Sequence, residues 1–280
     1  MSKIKILISR IGMMGDTIFL IPAIKNIKSY FPDAHITFIC SPTGHTISKY
    51  IKEIDETIVY NFYHPFWAKK QLKKKLKNNS FDYFFNYDTS DDYKKMFNNL
   101  IKTKLKYEMT SNSEQINDFS VIQKSDTHAV VNYLNLAKKA NIPIKINRYS
   151  IRIPDQIKRL ALAFKTKKNN SGQTALIGFH CGNHTMNTNT TFKKKEINFR
   201  SWSINNYIDM AILLSKKYNI KIILTGSFFE RKATNIIEKE LKKKAIPVLN
   251  MAGKTKSMKS FLKTLLACDL FFLGIQNQCI

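Results

Sequence analysis

The stretch from Ile4 to Pro22-Ala23 constrains the fold more than any other part of this sequence. Ile4 to Ile8 is apolar at four of five positions and predicts a short buried strand. Ser9-Arg10-Ile11-Gly12-Met13-Met14-Gly15-Asp16 then predicts a loop that delivers a carboxylate to the start of a helix. In an open α/β sheet, ligands bind beyond the carboxyl ends of the strands, so Asp16 stands where chemistry would be done.

The same alternation continues along the chain. His35–Cys40, Thr57–Tyr60 and Tyr83–Asn86 read as further buried strands, with helices at Thr17–Tyr30, Thr46–Lys52 and Trp67–Asn78 between them. Pro22 falls inside the first helix and should kink it or weaken one backbone bond. A polar loop at 112–118 and a helix from Asp126 to Ala140 follow. The stretch from Pro154 to Gly172, a helix with a Lys/Asn/Ser/Gly tail, predicts a boundary, after which the pattern restarts. Strands are expected at Thr174–Phe179, Ile220–Thr225, Val248–Met251 and Asp269–Leu273. Helices are expected at Ser203–Tyr218, Phe228–Lys244 and Ser257–Ala267, with Ser203 and Ser257 as N-caps. The expected organisation is an α/β fold of two Rossmann-like domains with parallel sheets: 1–153, a helix and linker at 154–173, and 174–280. The second half is expected to be incomplete. A full sheet of this type has about six strands, and the sequence ends at Ile275-Gln-Asn-Gln-Cys-Ile soon after the fourth.

A formal net charge of +26 favours anionic partners: nucleotides, phosphorylated lipid headgroups or nucleic acid. Most of that charge is lysine, with only six arginines in a sequence also rich in Asn and Ile, a mix that an AT-rich genome would encode. The densest run, Lys69 to Lys77, has Leu72 and Leu76 at helical spacing, so it reads as a helix with one apolar stripe and a solvated basic face rather than a nucleic-acid site. No apolar run approaches the length of a membrane span, and Arg10 and Asp16 interrupt any secretory pattern. Cys40, Cys181, Cys268 and Cys279 form no C-x-x-C pair and read as free thiols. The expectation is a cytoplasmic protein.

Several residues invite chemistry, each with a plainer role beside it. Asp16 is either a catalytic carboxylate or the N-cap of a helix beginning at Thr17. Gly12 and Gly15 form G-x-x-G, which allows close approach to a ligand but lacks the full dinucleotide fingerprint. The Thr- and Lys-rich segment from Cys181 to Arg200 is either a diphosphate cradle or a solvated loop. His180, Cys181 and His184 lack a fourth ligand and a regular scaffold, so no metal site is expected. Glu230, after Leu224-Thr225-Gly226-Ser227, either accepts hydrogen bonds from ribose hydroxyls or favours a helix N-terminus.

Taken together, these residues resemble glycosyltransferase family 9, the heptosyltransferases of lipopolysaccharide core assembly. The first 40 residues carry the resemblance best: Ile-Leu-Ile-Ser-Arg10, Met14-Gly15-Asp16, Pro22-Ala23, and Phe31-Pro-Asp-Ala34 before Ile36-Thr-Phe38. Phe81-Asp82, the His128 helix, Gly178-x-His180-x-Gly182, Arg200-x-Trp202, Leu224-Thr-Gly226 with Glu230, and Ala252-Gly-Lys-Thr255 follow in the same order. The resemblance implies a GT-B-like architecture, with acceptor bound by the first domain and ADP-heptose by the second. It also implies inverting transfer without a metal ion or cofactor. Asp16 matches the general base. Arg10 and Gly15 lie on the acceptor or phosphate side, while Arg200, Gly226 and Glu230 match donor-binding positions. The implied partners are a nucleotide-sugar donor, an anionic lipopolysaccharide-core acceptor and, peripherally, the cytoplasmic face of the inner membrane, with nucleic acid disfavoured.

Two departures accompany the resemblance. The 181–200 loop is longer than the family's link, and the family's Asn/Asp-x-Gly-x-x-His-type segment after the equivalent of Leu273-Gly274 is missing. Weak donor binding and poor turnover are expected on that basis. The alternative expectation is a basic, non-catalytic module that docks on an anionic membrane surface or nucleic acid.

Overall fold

Every strand pairing among the described residues is parallel. The computed structural model describes residues 3–115, 117–168, 174–181 and 202–273. Two compact units divide near Arg152 and Ile153.

The first unit is a six-stranded sheet in the order β3-β2-β1-β4-β5-β6. Its strands are β1 (Lys5–Arg10), β2 (His35–Cys40), β3 (Glu56–Val59), β4 (Ser80–Asn86), β5 (Lys102–Thr110) and β6 (Ser120–Ile122). The helices are α1 (Met14–Tyr30), α2 (Pro42–Ser48), α3 (Pro65–Leu76), α4 (Asp91–Leu100) and α5 (Ala129–Lys139). Side chains alternate across a strand, so β1 feeds two cores at once. Ile6 and Ile8 pack with Leu20, Ile24 and Leu136 of α1 and α5. Leu7 packs with Leu72, Leu76 and Phe97 of α3 and α4. Both faces are thereby covered, which explains the apolar run at 6–8, whereas Ile4 lies before the strand and is exposed.

Some boundaries differ from the sequence expectation. The second helix starts at Pro42, not Thr46, because Ser41 caps it through Gly44 N at 3.0 Å and a proline suits the first helical position. α4 and strands β5 and β6 were not anticipated. Pro22 lies buried within α1, and Asn26 donates to its carbonyl at 2.8 Å. The same Asn26 side chain also bonds Lys145 N and Ile146 N, at 2.8 and 3.0 Å, tying the chain after α5 to α1.

The second unit holds a four-stranded sheet among the described residues, ordered β10-β7-β8-β9. Its strands are β7 (Ala175–His180), β8 (Ile220–Thr225), β9 (Val248–Asn250) and β10 (Leu270–Leu273). α6 (Asp155–Lys168), α7 (Ile204–Lys217), α8 (Arg231–Lys243) and α9 (Met258–Ala267) accompany them. Phe179, Ile222 and Leu224 meet Tyr207, Ile237 and Leu241 in its core. Ser203 and Ser257 cap α7 and α9 as expected, each accepting a backbone N–H at 3.2 Å. α6 packs on α9 and is tied to the sheet by a Lys165–Asp269 ion pair. Gly178 is small for a reason: a Cβ there would lie 2.1 Å from Phe271 Cδ2. Gly182 to Ser201, and the segment after Leu273 on which the expectation of weak donor binding rests, lie outside the described residues.

Candidate functional site

Parallel pairing brings the carboxyl ends of β1 and β4 side by side, with Ser9 in register with Asn86 and Ser9 Oγ donating to Asn86 Oδ1 at 2.8 Å. Arg10 and the residues after β4 therefore meet. Arg10 Nη2 donates to Asp16 Oδ1 at 2.6 Å, and Nη1 lies 3.8 Å from Asp88 Oδ1. Asp88 Oδ1 also accepts the Ile11 N–H at 2.7 Å. From α5, Tyr133 places its ring 5.7 Å from the Arg10 guanidinium carbon and its hydroxyl 3.5 Å from Asp16 Oδ1.

Asp16 is not an N-cap, the plainer of its two sequence readings. α1 begins two residues earlier, at Met14, so Asp16 sits in the first turn and its Oδ2 accepts the Met13 N–H at 2.8 Å. That half of a capping box turns the side chain back across the loop. Gly12 is required by this fold-back, since a Cβ there would lie 2.5 Å from Asp16 Oδ2. At Gly15 a Cβ would meet nothing within 4 Å. Three contacts orient Asp16, from Arg10, the Met13 N–H and the Tyr133 hydroxyl, yet its side chain keeps 28% of its surface exposed, which leaves it within reach of a ligand.

Charge is unevenly buried here. Asp88 is 1% exposed, and burial pushes its carboxyl above the usual range against the opposing pull of Arg10 and the Ile11 N–H. Burial would lower Arg10, but Tyr133, Asp16 and Asp88 outweigh it and hold the guanidinium above its ordinary value. Burial also raises the Tyr133 phenol to about 12 and the Tyr87 phenol well above its ordinary value. Both hydroxyls therefore act near neutrality only as neutral donors or acceptors.

In the second unit, His180 ends β7 and Thr225 ends β8, with His180 Nδ1 and Thr225 Oγ1 3.2 Å apart. Tyr207 of α7 donates to the His180 carbonyl at 2.9 Å. Gly226 follows Thr225, and Glu230 precedes α8 with its carboxylate turned back onto the Ser227 N–H. Glu230 Oε1 lies 3.8 Å from His180 Nε2. Gly226 and Glu230 are thus brought together, a Cβ at Gly226 lying 3.3 Å from Glu230 Oε2. Arg200 lies outside the described residues. His128 has a structural role: Nδ1 accepts the Val130 N–H at 3.3 Å, and its ring packs edgewise on Phe19.

Sequence reasoning missed Asp88 and Tyr133. The first was findable, because a residue just after β4 must neighbour the end of β1 once the sheet order is known. Tyr133 is 117 residues from Asp16 and carries no local signal.

No protein-family model matches the sequence. Lipooligosaccharide heptosyltransferase 2 of Campylobacter jejuni is 24% identical over 272 residues, covering 95% of this chain and 73% of that protein. Three solved structures share the fold. A family 9 glycosyltransferase from Veillonella parvula superposes with a TM-score of 0.75 at 14% identity, over 96% of this chain and 74% of its own. The E. coli ADP-heptose lipopolysaccharide heptosyltransferase II gives 0.71 at 16% identity, over 97% and 79%. The E. coli heptosyltransferase WaaC with ADP-2-deoxy-2-fluoro heptose gives 0.68 at 13%, over 97% and 82%. In its motifs, in its relative and in its GT-B-like pair of parallel α/β units, this chain resembles glycosyltransferase family 9.

Proposed function

We propose that the chain is an inverting heptosyltransferase that moves heptose from ADP-heptose to a lipopolysaccharide-core acceptor. The observation that carries this reading is the Asp16 carboxylate at the carboxyl end of β1. Arg10, the Met13 N–H and the Tyr133 hydroxyl hold it, while part of its surface stays open. A carboxylate offers about four acceptor positions, so the three contacts from Arg10, the Met13 N–H and the Tyr133 hydroxyl still leave room for one substrate hydroxyl.

In this mechanism the acceptor hydroxyl oxygen attacks the anomeric carbon from the face opposite the diphosphate. Its proton passes to Asp16. The bond from that carbon to the phosphate oxygen breaks, and its electron pair leaves with ADP. Arg10 positions Asp16 and presents positive charge to an anionic acceptor. In the second unit, Glu230 accepts from ribose hydroxyls, Gly226 leaves space beside it, and Arg200 offsets charge on the departing ADP. No step uses a metal ion.

Transfer from ADP-heptose to a truncated core acceptor tests the reading. Asp16→Asn is expected to lower turnover by about 10²–10⁴-fold, the usual loss for a general base, with ADP binding unchanged and no response to EDTA. Full turnover by Asp16→Asn would remove the base assignment. ADP should also compete saturably with donor. Binding set by salt alone and indifferent to Asp16 would favour a non-catalytic module instead.

A further inference from the structure

We propose that His180 is a specificity-determining residue of the second unit, its Nε2 accepting one hydroxyl of a ribose while Glu230 Oε1 accepts the neighbouring one. The hydrogen bonds around the ring assign its proton. Thr225 is fully buried and gives its single hydroxyl proton to the Phe179 carbonyl at 3.2 Å. Towards His180 it therefore accepts, and the imidazole proton resides on Nδ1, 3.2 Å from Thr225 Oγ1. In a neutral imidazole that arrangement leaves Nε2 as a bare acceptor.

Glu230 presents the same character from the other side. Its Oε2 takes the Ser227 N–H, which leaves Oε1 facing the ring. Nε2 and Oε1 stand 3.8 Å apart, beyond the range of a direct hydrogen bond. Two acceptors set side by side call for two donors set side by side, and the vicinal hydroxyls of a five-membered sugar ring are such donors. A phosphate brings negative charge towards Glu230 and suits the pair poorly. Among the described residues, no three His, Cys, Asp or Glu side chains are grouped to hold a metal ion.

Neither arm is loose. The Tyr207 hydroxyl fixes the His180 carbonyl at 2.9 Å, and Gly226 packs closely beside Glu230. The His180 side chain is 29% exposed and that of Glu230 8%, so His180 is the more open arm. Both lie at the carboxyl edge of the second sheet, where open α/β sheets bind nucleotides and an acidic residue commonly meets the ribose. The turn that carries Glu230 also exposes the Phe228 and Phe229 rings, flat apolar surface of the kind a base covers. A ribonucleoside as occupant rests on the proposed transferase reading. Loss of either hydroxyl strands one acceptor, so the pair distinguishes ribose from deoxyribose.

Titration calorimetry on the full chain with ADP, 2′-deoxy-ADP and 3′-deoxy-ADP tests this. The parent is expected to bind ADP about tenfold more tightly than either deoxy form. His180→Asn keeps a donor for Thr225 and deletes the Nε2 acceptor. It should weaken ADP binding about tenfold and leave one deoxy form unchanged, so that discrimination at that one hydroxyl is lost. His180→Gln returns an acceptor near the Nε2 position and should recover part of the difference. A parent that binds all three nucleotides equally, or none of them, overturns the proposal before any variant is made. Equal weakening of all three by His180→Asn would overturn it too, by leaving His180 a merely structural part. Heptose transfer is not among these readouts. The expected pattern without transfer would remove the transferase reading alone, and transfer without the pattern would remove the His180 assignment alone.

Discussion

Arg10 stands between two carboxylates of opposite setting, 2.6 Å from the part-exposed Asp16 and 3.8 Å from the buried Asp88. Removing the guanidinium strands Asp88 away from solvent. Arg10→Met is expected to cost about 3 kcal/mol, in the range found when one partner of a buried ion pair is lost. Asp88→Asn in the same chain should recover part of it. Urea unfolding of the single and double variants measures both, and strict additivity would mean that the two groups do not interact.

Asp88 also sets a pH dependence. Burial holds its folded-state carboxyl above the ordinary value of 3.8 despite Arg10 and the Ile11 N–H. The folded chain therefore binds the proton more tightly than the unfolded chain. The resulting stability is complete below the unfolded value and is lost as pH rises through the folded one. Asp88→Asn, which cannot ionise, should gain stability relative to the parent as pH increases from about 3 towards neutrality. Thermal unfolding across that range would show the reverse trend if Arg10 dominated.

The two glycines of the first loop should behave differently. Gly12→Ala puts a methyl group against the Asp16 carboxylate, so turnover should fall by about tenfold or more, as expected when a reacting group is displaced. Gly15→Ala has free space and lies in the first turn of α1, so it should raise stability by about 0.5 kcal/mol. If it also weakens acceptor binding, measured as a rise in acceptor KM, the space above Gly15 belongs to the acceptor.

In the second unit, Glu230→Gln removes a charge while keeping the shape of a group that is 7% exposed. Titration calorimetry should show ADP affinity reduced by about tenfold, the equivalent of one charge-assisted hydrogen bond. Unchanged affinity would leave Glu230 with only its contact to the Ser227 N–H.

Three thiols should be chemically silent. Burial raises Cys40 and Cys268 to about 12 and pushes Cys181 up as well. Little thiolate exists at about pH 8 under those conditions. Iodoacetamide should modify Cys40, Cys181 and Cys268 only after denaturant is added, and peptide mass spectrometry would locate any earlier reaction.

Much of the fold was legible because β1, β2, β7 and β8 are predominantly apolar, as strands covered on both faces tend to be. β5 escaped because it reads Lys-Thr-Lys-Leu-Lys-Tyr-Glu-Met-Thr, alternating charge with Thr103, Leu105, Tyr107 and Met109. That two-residue period marks a strand with one wet face, and a search for apolar runs passes over it. α4 buries Lys94, Met96 and Phe97, too few to make a stripe. At the site, Arg10, Gly15 and Asp16 were readable together since one loop holds all three. Asp88 required the strand order, and Tyr133 required tertiary packing of α5 on α1, which no local pattern encodes.

The accuracy of the Arg10 cluster is ultimately a property of strand register. β1 is locked on both sides, Arg10 opposite Cys40 on one flank and Ser9 opposite Asn86 on the other. A slip of a single residue would turn Arg10 to the far face of the sheet and offer the apolar Ile11 to both carboxylates. A misthreaded first strand would therefore keep nearly all of its buried surface and lose its charge cluster, so the contacts of Arg10 report on folding fidelity more sharply than any measure of compactness.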